Sequence, residues 1–318
     1  MTHLPLPLPH ADLAATARSF GDPATDLAAA RFDTLETHLE ADSGSFWAWM
    51  RPGPKPCFTL DLLSDILAQQ AMLRDALSAT RREGQPIAAR WYVMGSRIPG
   101  IFNLGGDLSH FADKIRARDL AALRRYGNLC VEAIHGNAEA FQAPAVTIAL
   151  VQGDALGGGF ECALAFDVIV AERSAKFGLP EILFNLFPGM GAYSYLSRRI
   201  GPVQAERMIT SGKLYTAEEL HAIGLVDVLA EDGQGEAAVR GYIDRNDRKH
   251  NALQAIFRAR RRANPVTLME LRDIVEIWSE TALGISDLDI RKMLRLTAAQ
   301  EKRLAQAAEA TPVAVAAE

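Results

Sequence analysis

The middle of the chain alternates between short apolar runs and longer stretches of helical periodicity. Four runs have the length of buried strands, namely 43–51, 87–94, 145–151 and 167–171. Apolar residues recur every three or four positions over 60–77 and 109–140, and each of these stretches predicts one helix. The alternation predicts an α/β fold in which a sheet is covered by helices.

The two ends of the chain differ from this middle. Four prolines within the first 23 residues predict an extended N-terminal arm. Charge increases beyond about Gly241, and two further helical patterns follow, one opened by Asn264 and Pro265 and one from Asp287 to about Ala305. The predicted segments are an arm (1–25), a core (26–245), a C-terminal helical module (246–305) and a tail (306–318).

Composition narrows the class of protein. The 318 residues are 49% hydrophobic with a net charge of -5, which argues against a nucleic-acid-binding protein. No apolar run approaches 18 residues and no signal-peptide pattern opens the chain, so neither a membrane span nor export is expected. The three cysteines, Cys57, Cys130 and Cys162, lie far apart, which favours a reducing, cytoplasmic setting.

Several common catalytic arrangements are missing from the sequence. The seven histidines form no H-x-x-x-H or H-E-x-x-H pair, so no metal site is expected. No G-x-S-x-G motif is present to suggest a serine hydrolase. Nothing in the sequence calls for a cofactor.

The candidate chemistry follows the strand at 145–151. Gly157, Gly158 and Gly159 lead into a helix start, and unpaired amides at such a start favour a negatively charged oxygen. Glu161 lies three residues after Gly158, on the same helical face, and Glu181 follows 20 residues later in G-L-P-E. The alternatives are a tight turn without a ligand and, for Glu181, an exposed residue in the first turn of a helix.

Two carboxylates can do acid and base chemistry on one substrate. One can take a proton from a carbon while the other protonates a hydroxyl that leaves from the neighbouring carbon. Glu161 and Glu181 together therefore favour dehydration or hydration.

The motifs that carry these residues resemble those of the crotonase superfamily, the enoyl-CoA hydratases and isomerases. The resemblance covers roughly residues 44–230 and rests on G-G-G-x-E, G-x-P-E, Phe187–Gly191 and Ile101–Leu108, with a weaker match at Met50–Leu60. It implies a spiral of repeated ββα units with a C-terminal helical module. It also implies that Glu161 and Glu181 handle protons at the two carbons next to a thioester.

The resemblance further implies an oxyanion hole, a pair of backbone amides that bind the enolate oxygen of the thioester. Gly158 is expected to donate one amide. Leu104 or Gly105 is expected to donate the other, and Gly105 is preferred here.

Within the superfamily, the chain looks most like the diffusible-signal-factor synthases, which make cis-2-unsaturated fatty acid signals for quorum sensing. The resemblance implies that a 3-hydroxyacyl chain on acyl carrier protein is dehydrated and the thioester then hydrolysed. Glu181 would take the α-proton and Glu161 would protonate the β-hydroxyl. The alternatives are an enoyl-CoA hydratase of fatty-acid degradation acting on CoA thioesters, and a catalytically silent binding protein of the same fold.

Other features receive two interpretations each. Leu156, Met190 and Trp278 are expected to line an acyl pocket, although apolar residues at such spacing also suit a plain core. The basic run Arg258–Arg262 is either a solvated helix face or a docking surface for acyl carrier protein or the phosphates of CoA. The family also implies a homo-oligomer, a trimer or a multiple of it, and a sensor-protein partner is a further expectation.

Overall fold

The computed structural model describes residues 23–82 and 89–310. Its strands are β1 (Leu35–Glu40), β2 (Ser45–Met50), β3 (Trp91–Ser96), β4 (Ile101–Asn103), β5 (Val146–Val151), β6 (Asp154–Leu156), β7 (Val168–Glu172), β8 (Lys176–Gly178), β9 (Leu214–Thr216) and β10 (Val228–Ala230). The first helices are α1 (Pro23–Ala29), α2 (Leu60–Arg82), α3 (Leu108–Arg116), α4 (Leu120–Ala138), α5 (Gly158–Leu164) and α6 (Ala192–Ile200). They are followed by α7 (Pro202–Ser211), α8 (Ala217–Ala222), α9 (Gly235–Asn246), α10 (His250–Ala263), α11 (Leu268–Ala282) and α12 (Asp287–Ala310).

The strands form two sheets. One has the order β1-β2-β3-β5-β7-β10 and is parallel except at β1, and the other has the order β4-β6-β8-β9 with β9 antiparallel to β8. Each pair β3-β4, β5-β6 and β7-β8 places one strand in each sheet before the chain enters a helix. The predicted spiral of repeated ββα units is confirmed.

The larger sheet is buried on both faces. Along β2, Phe46 and Met50 point into the main core, whereas Trp47 and Trp49 pack with apolar side chains of α9 and α10 on the opposite face. Parallel strands covered on both sides require apolar residues at nearly every position. This is why the core strands are continuous apolar runs in the sequence.

The predicted single helix over 109–140 is wrong. The structure has two helices, α3 and α4, separated by Arg118 in the left-handed conformation with φ of 53°. Asp119 starts α4 by accepting a hydrogen bond from the Ala122 amide, as Asp107 does at the start of α3. A new cap inside a periodic pattern divides the helix without interrupting the apolar stripe.

Several elements of the structure were missed, among them α7 and α1, which begins at Pro23 inside the predicted arm. β1 pairs with β2, and α9 and α10 occupy a region that the sequence marks mainly by its charge. At the ends, α12 continues to Ala310, five residues past its predicted end. The predicted arm up to residue 22 and the predicted tail from residue 311 lie outside the described residues, as does the start of the run at 87–94. Among the helices that the structure describes, none combines the length and the apolar character needed to cross a membrane.

A buried carboxylate joins the C-terminal helices to the core. Asp167, which is 1% exposed, binds Arg260 at 2.8 Å and Arg261 at 2.6 Å, both on α10. It also accepts the amide of Thr147 at 3.1 Å. The basic run is therefore partly structural, because two of its arginines neutralise a charge buried beneath the helix.

We expect Asp167→Ala to lower the free energy of unfolding by about 3 kcal/mol, because it leaves Arg261 and the Thr147 amide without their buried acceptor. Urea unfolding followed by circular dichroism measures the change. Arg173→Ala, which removes an exposed ion pair with Glu218 and Glu231, is the control and should leave the unfolding midpoint unchanged. An equal effect of the two variants would contradict a structural role for Asp167.

Candidate active site

A cavity of about 250 Å³ lies where the β6–α5 turn and the loop after β4 meet α4, α11 and α12. Apolar side chains form most of its wall, and Glu161 and Glu181 both reach it. The two carboxylates that the sequence singles out, 20 residues apart in the chain, therefore share one cavity. Its other lining residues include Leu104, Gly106, Leu108, Phe111, Tyr126, Cys130, Leu156, Gly157, Gly158, Leu183, Gly189, Met190, Leu214, Trp278 and Leu296.

Glu161 is held by backbone amides. It lies in the first turn of α5 and is 1% exposed. Its Oε1 accepts hydrogen bonds from the amides of Met190 at 2.7 Å and Ala192 at 2.9 Å. These donors come from the turn that leads into α6, so the P-G-M-G segment of the sequence fixes the orientation of this carboxylate.

Glu181 lies on a short 3-10 helix, Pro180–Phe184, which begins with a proline. A Cβ atom at Gly157 would lie 2.5 Å from Glu181 Oε1, so the glycine is needed to make room for the carboxylate. Its Oε2 is buried, and no group of the described residues donates a hydrogen bond to it. Glu181 thus has less support for a negative charge than Glu161 has.

Burial shifts the ionisation of both carboxyls. Removal from water raises the pKa of Glu161 from 4.5 to about 7, against the opposing effect of the amides that bind it. Burial raises the pKa of Glu181 well above its ordinary value, and the nearby charge of Glu161 raises it further. Since Glu161 Oε1 accepts two amides of the turn before α6, whereas Glu181 Oε2 has no donor among the described residues, we place the negative charge of the pair on Glu161 and the proton on Glu181.

The structure corrects one of the two predicted oxyanion-hole donors. The Gly105 amide donates to Asn103 Oδ1 at 2.8 Å, and the Leu104 amide donates to the carbonyl of Pro56 at 2.8 Å. Gly106 is the residue of this loop whose amide has no acceptor within the described ranges, and it lines the cavity. The amides of both predicted residues, Leu104 and Gly105, are thus already bonded within the protein, and Gly106 becomes the candidate donor of this loop.

The other predicted donor, Gly158, is the first residue of α5, so its amide has no partner within the helix. Gly105 brings the two loops together. A Cβ atom at Gly105 would lie 2.9 Å from the Gly158 nitrogen and 2.9 Å from the Leu156 carbonyl, and its φ of +93° favours glycine. Gly105 therefore allows the approach of the two backbones, while the next residue, Gly106, lines the cavity.

The predicted acyl-pocket residues Leu156, Met190 and Trp278 all line the cavity. Trp278 lies against Gly189, where a Cβ atom would be 2.5 Å from the indole ring, and its ring centroid is 4.9 Å from that of Phe111. The sequence did not mark Phe111, Tyr126, Cys130 or Leu296 as pocket residues. In the sequence these residues are marked only by their helical periodicity, and this pattern is the same for residues that line a cavity and for residues of a packed core.

The basic run lies elsewhere. None of the residues Arg258–Arg262 lines the cavity; Arg258, Arg261 and Arg262 border a separate groove near His135 and Pro265. Within the described ranges, no group of three histidine, cysteine or acidic side chains is placed to hold a metal ion.

A cavity shared by Glu161 and Glu181, on a spiral of ββα units, defines an α/β protein with a candidate site for proton transfer. The chain belongs to the enoyl-CoA hydratase/isomerase family, whose model matches residues 69–272. The resemblance to the crotonase superfamily is therefore confirmed.

Individual relatives agree with this assignment. The chain is 35% identical over 187 residues to the mitochondrial methylglutaconyl-CoA hydratase of Rattus norvegicus, a match over 54% of this chain and 52% of that protein. It is 38% identical over 168 residues to 2,3-dehydroadipyl-CoA hydratase of Escherichia coli, over 52% and 62% of the two chains. The chain thus spans about half the length of the first of these curated relatives.

Among solved structures, DspI of Pseudomonas aeruginosa is 28% identical, with a TM-score of 0.58 over 74% of this chain and 92% of that chain.

The raised pKa of Glu161 is expected to make the free energy of unfolding fall as pH rises. The folded state keeps a proton on Glu161 up to about pH 7, whereas the unfolded chain releases it near pH 4.5. The contribution of this proton to the free energy of unfolding is therefore complete below about pH 4.5. It is lost as pH rises through 7, a change on the order of 3 kcal/mol. Glu161→Gln should show a smaller loss of unfolding free energy between pH 5 and pH 7.5, measured by urea unfolding at each pH.

Asp244→Asn, a change at an exposed position on α9, is the control and should follow the wild-type curve. Equal pH dependence in wild type and Glu161→Gln would show that Glu161 is ionised throughout this range.

Proposed function

We propose that the protein dehydrates a 3-hydroxyacyl chain carried on acyl carrier protein and hydrolyses the resulting cis-2-enoyl thioester. The product is a free cis-2-unsaturated fatty acid that serves as a quorum-sensing signal. The observation that carries this proposal is that Glu161, which is buried, and Glu181, whose Oε2 is buried, both line one largely apolar cavity. Family membership and the DspI neighbour, which matches the sequence resemblance to the diffusible-signal-factor synthases, support it.

The pair of glutamates accounts for dehydration with one shared proton. Glu181 takes the α-proton as the enolate forms, and Glu161 gives its proton to the β-hydroxyl, which leaves as water. The step ends with Glu181 protonated and Glu161 ionised. This is the charge distribution that the two amides on Glu161 favour, so the reaction ends in the stable state of the pair.

The same end state suits hydrolysis. Ionised Glu161 takes a proton from a water molecule as that water attacks the thioester carbonyl, and it returns this proton to the carrier sulfur as the tetrahedral intermediate breaks the C–S bond. The products are the 2-enoic acid and free carrier. Before the next dehydration, a proton moves from Glu181 to Glu161, and the total number of protons on the pair is unchanged.

The amides of Gly106 and Gly158 are proposed to bind the thioester oxygen in both steps. Negative charge develops on this oxygen in the enolate and in the tetrahedral intermediate of hydrolysis. Each aligned donor in a site without bulk water is worth about 3 kcal/mol of transition-state stabilisation.

The second candidate is an enoyl-CoA hydratase that acts on CoA thioesters without releasing free acid. It is favoured by the names of the curated relatives, which are CoA hydratases. The same glutamates would serve it in the hydration direction, with Glu161 activating water and Glu181 protonating the α-carbon. A silent binding protein is a weaker candidate, because such a role does not require two buried carboxylates in one cavity.

The partners follow from the substrate and the family. We propose acyl carrier protein as the carrier and a homo-oligomer as the working form, since members of this family usually form oligomers. A sensor-protein partner and a cytoplasmic location stay predictions of the sequence.

We expect Glu161→Gln and Glu181→Gln each to lower the release of 2-enoic acid from 3-hydroxydodecanoyl acyl carrier protein by at least about 100-fold, because each removes a proton donor or acceptor. Mass spectrometry of the free acid and of the carrier-bound chain measures both steps. Glu172→Gln is a matched control: this glutamate is buried but lies outside the cavity, where it accepts the Gly235 amide.

Free acid from the wild type and from Glu172→Gln, but not from the two site variants, would support the proposal. Hydration of CoA thioesters without free acid would assign the protein as a hydratase. The binding-protein alternative requires that the protein converts neither the acyl carrier protein thioester nor the CoA thioester.

A separate prediction concerns the acyl wall, the part of the cavity lined by Leu156, Met190 and Trp278. Trp278→Ala removes the indole between Gly189 and Phe111, so it should enlarge the cavity and shift the preferred substrate toward longer chains by at least two carbons. Competition among 3-hydroxyacyl carriers of 8 to about 16 carbons, read by mass spectrometry of the acids, tests this. An unchanged preference at a reduced rate would instead assign Trp278 to the core.

A further inference from the structure

Gly106 belongs to a short pairing between two loop segments. Phe58 forms an isolated parallel bridge with Gly106, and the Phe58 amide donates to the Gly105 carbonyl at 2.8 Å. In a regular parallel bridge the Phe58 carbonyl would accept the Asp107 amide directly. In this protein a side chain mediates that second link.

The side chain is Tyr126 of α4. Its hydroxyl accepts a hydrogen bond from the Asp107 amide at 3.0 Å and donates to the Phe58 carbonyl. One hydroxyl therefore connects the residue after Gly106 to the residue that pairs with Gly106. The loop is therefore fixed on both sides of Gly106, which lines the cavity.

Packing against the Phe111 ring fixes the same loop. The Tyr126 ring packs edge-on against Phe111, with centroids 5.0 Å apart. A Cβ atom at Gly106 would lie 2.5 Å from Phe111 Cζ, so the backbone at Gly106 rests directly on that ring. Tyr126 thus holds the loop through its hydroxyl and supports the ring beneath the loop.

Tyr126 lines the cavity, which raises the question of direct proton transfer to substrate. Its proton is already donated to Phe58 and its oxygen already accepts the Asp107 amide. Burial also raises the pKa of Tyr126 well above its ordinary value, so the hydroxyl stays protonated and keeps donating. A role through the loop fits these bonds better than a role as acid or base.

We propose that Tyr126 is a positioning residue that directs the Gly106 amide at the thioester oxygen by linking Phe58 and Asp107 through its hydroxyl. This inference rests on the proposed function, in which Gly106 contributes to the oxyanion hole. It adds a residue on α4 whose effect on the reaction passes through backbone that it holds.

The test is Tyr126→Phe, which keeps the ring and its packing on Phe111 but removes the hydroxyl. With 3-hydroxydodecanoyl acyl carrier protein we expect kcat to fall about 10-fold or more while KM changes less than about threefold, because a misdirected donor weakens transition-state binding most. Tyr193→Phe, which removes an exposed hydroxyl bound to Glu206, is the matched control and should keep wild-type kinetics.

A second readout measures the oxyanion hole without turnover. The carbonyl stretch of a 2-dodecenoyl acyl carrier protein labelled with carbon-13 at the thioester carbon is recorded by difference infrared spectroscopy on the Glu161→Gln protein. Amide donors lower this frequency, so adding Tyr126→Phe should move it back toward the solution value. Installing 4-aminophenylalanine at position 126, which can both donate and accept, should restore the lowered frequency and kcat.

A lower kcat with an unchanged carbonyl frequency, or a loss of activity that follows a loss of thermal stability and is not restored by 4-aminophenylalanine, would overturn the positioning role. Failure of the proposed function looks different. In that case the wild type releases no free acid from the carrier substrate, whatever residue occupies position 126.

Discussion

The close approach of two backbone loops is the constraint on which the rest of the site depends. At Gly105 a single added carbon would lie 2.9 Å from the Gly158 nitrogen. At Gly157 an added carbon would lie 2.5 Å from Glu181. Because glycine occupies both positions, the loop after β4 can meet the β6–α5 turn, and the amides of Gly106 and Gly158 border one cavity. A larger side chain at either position would separate the two loops or displace a carboxylate.

Burying two carboxylates in an apolar wall is costly unless charge is limited or compensated. The structure does both. Two amides of the turn before α6 compensate the charge on Glu161, and the proton retained by Glu181 avoids a second charge nearby. The pair is thereby kept in unequal protonation states, with the charge on Glu161 and the proton on Glu181. Such inequality is what proton transfer at two adjacent carbons requires.

The C-terminal helices form part of the site. Glu270 of α11 binds Ser194 and Arg198 of α6 at 2.6 to 2.9 Å. Since α6 begins with the Ala192 amide that binds Glu161, this ion pair ties the helix that carries Trp278 to the loop that orients the carboxylate. The acyl wall and the proton-transfer pair are therefore supported by the same contacts, and Asp167 secures the preceding helix, α10, to the core.

The sequence by itself determined the α/β class, the glycine turn, the two glutamates and the apolar character of the acyl wall, because periodicity and motif spacing are local properties of the chain. It did not reveal that Asp119 divides one periodic stretch into α3 and α4, since capping leaves the apolar stripe intact. Only the tertiary structure decided that the Gly105 amide is bound by Asn103, that Gly106 lines the cavity, and that Tyr126 lies beside it. The direction of an amide and the partner of a buried hydroxyl depend on contacts between segments far apart in sequence, which no local pattern records.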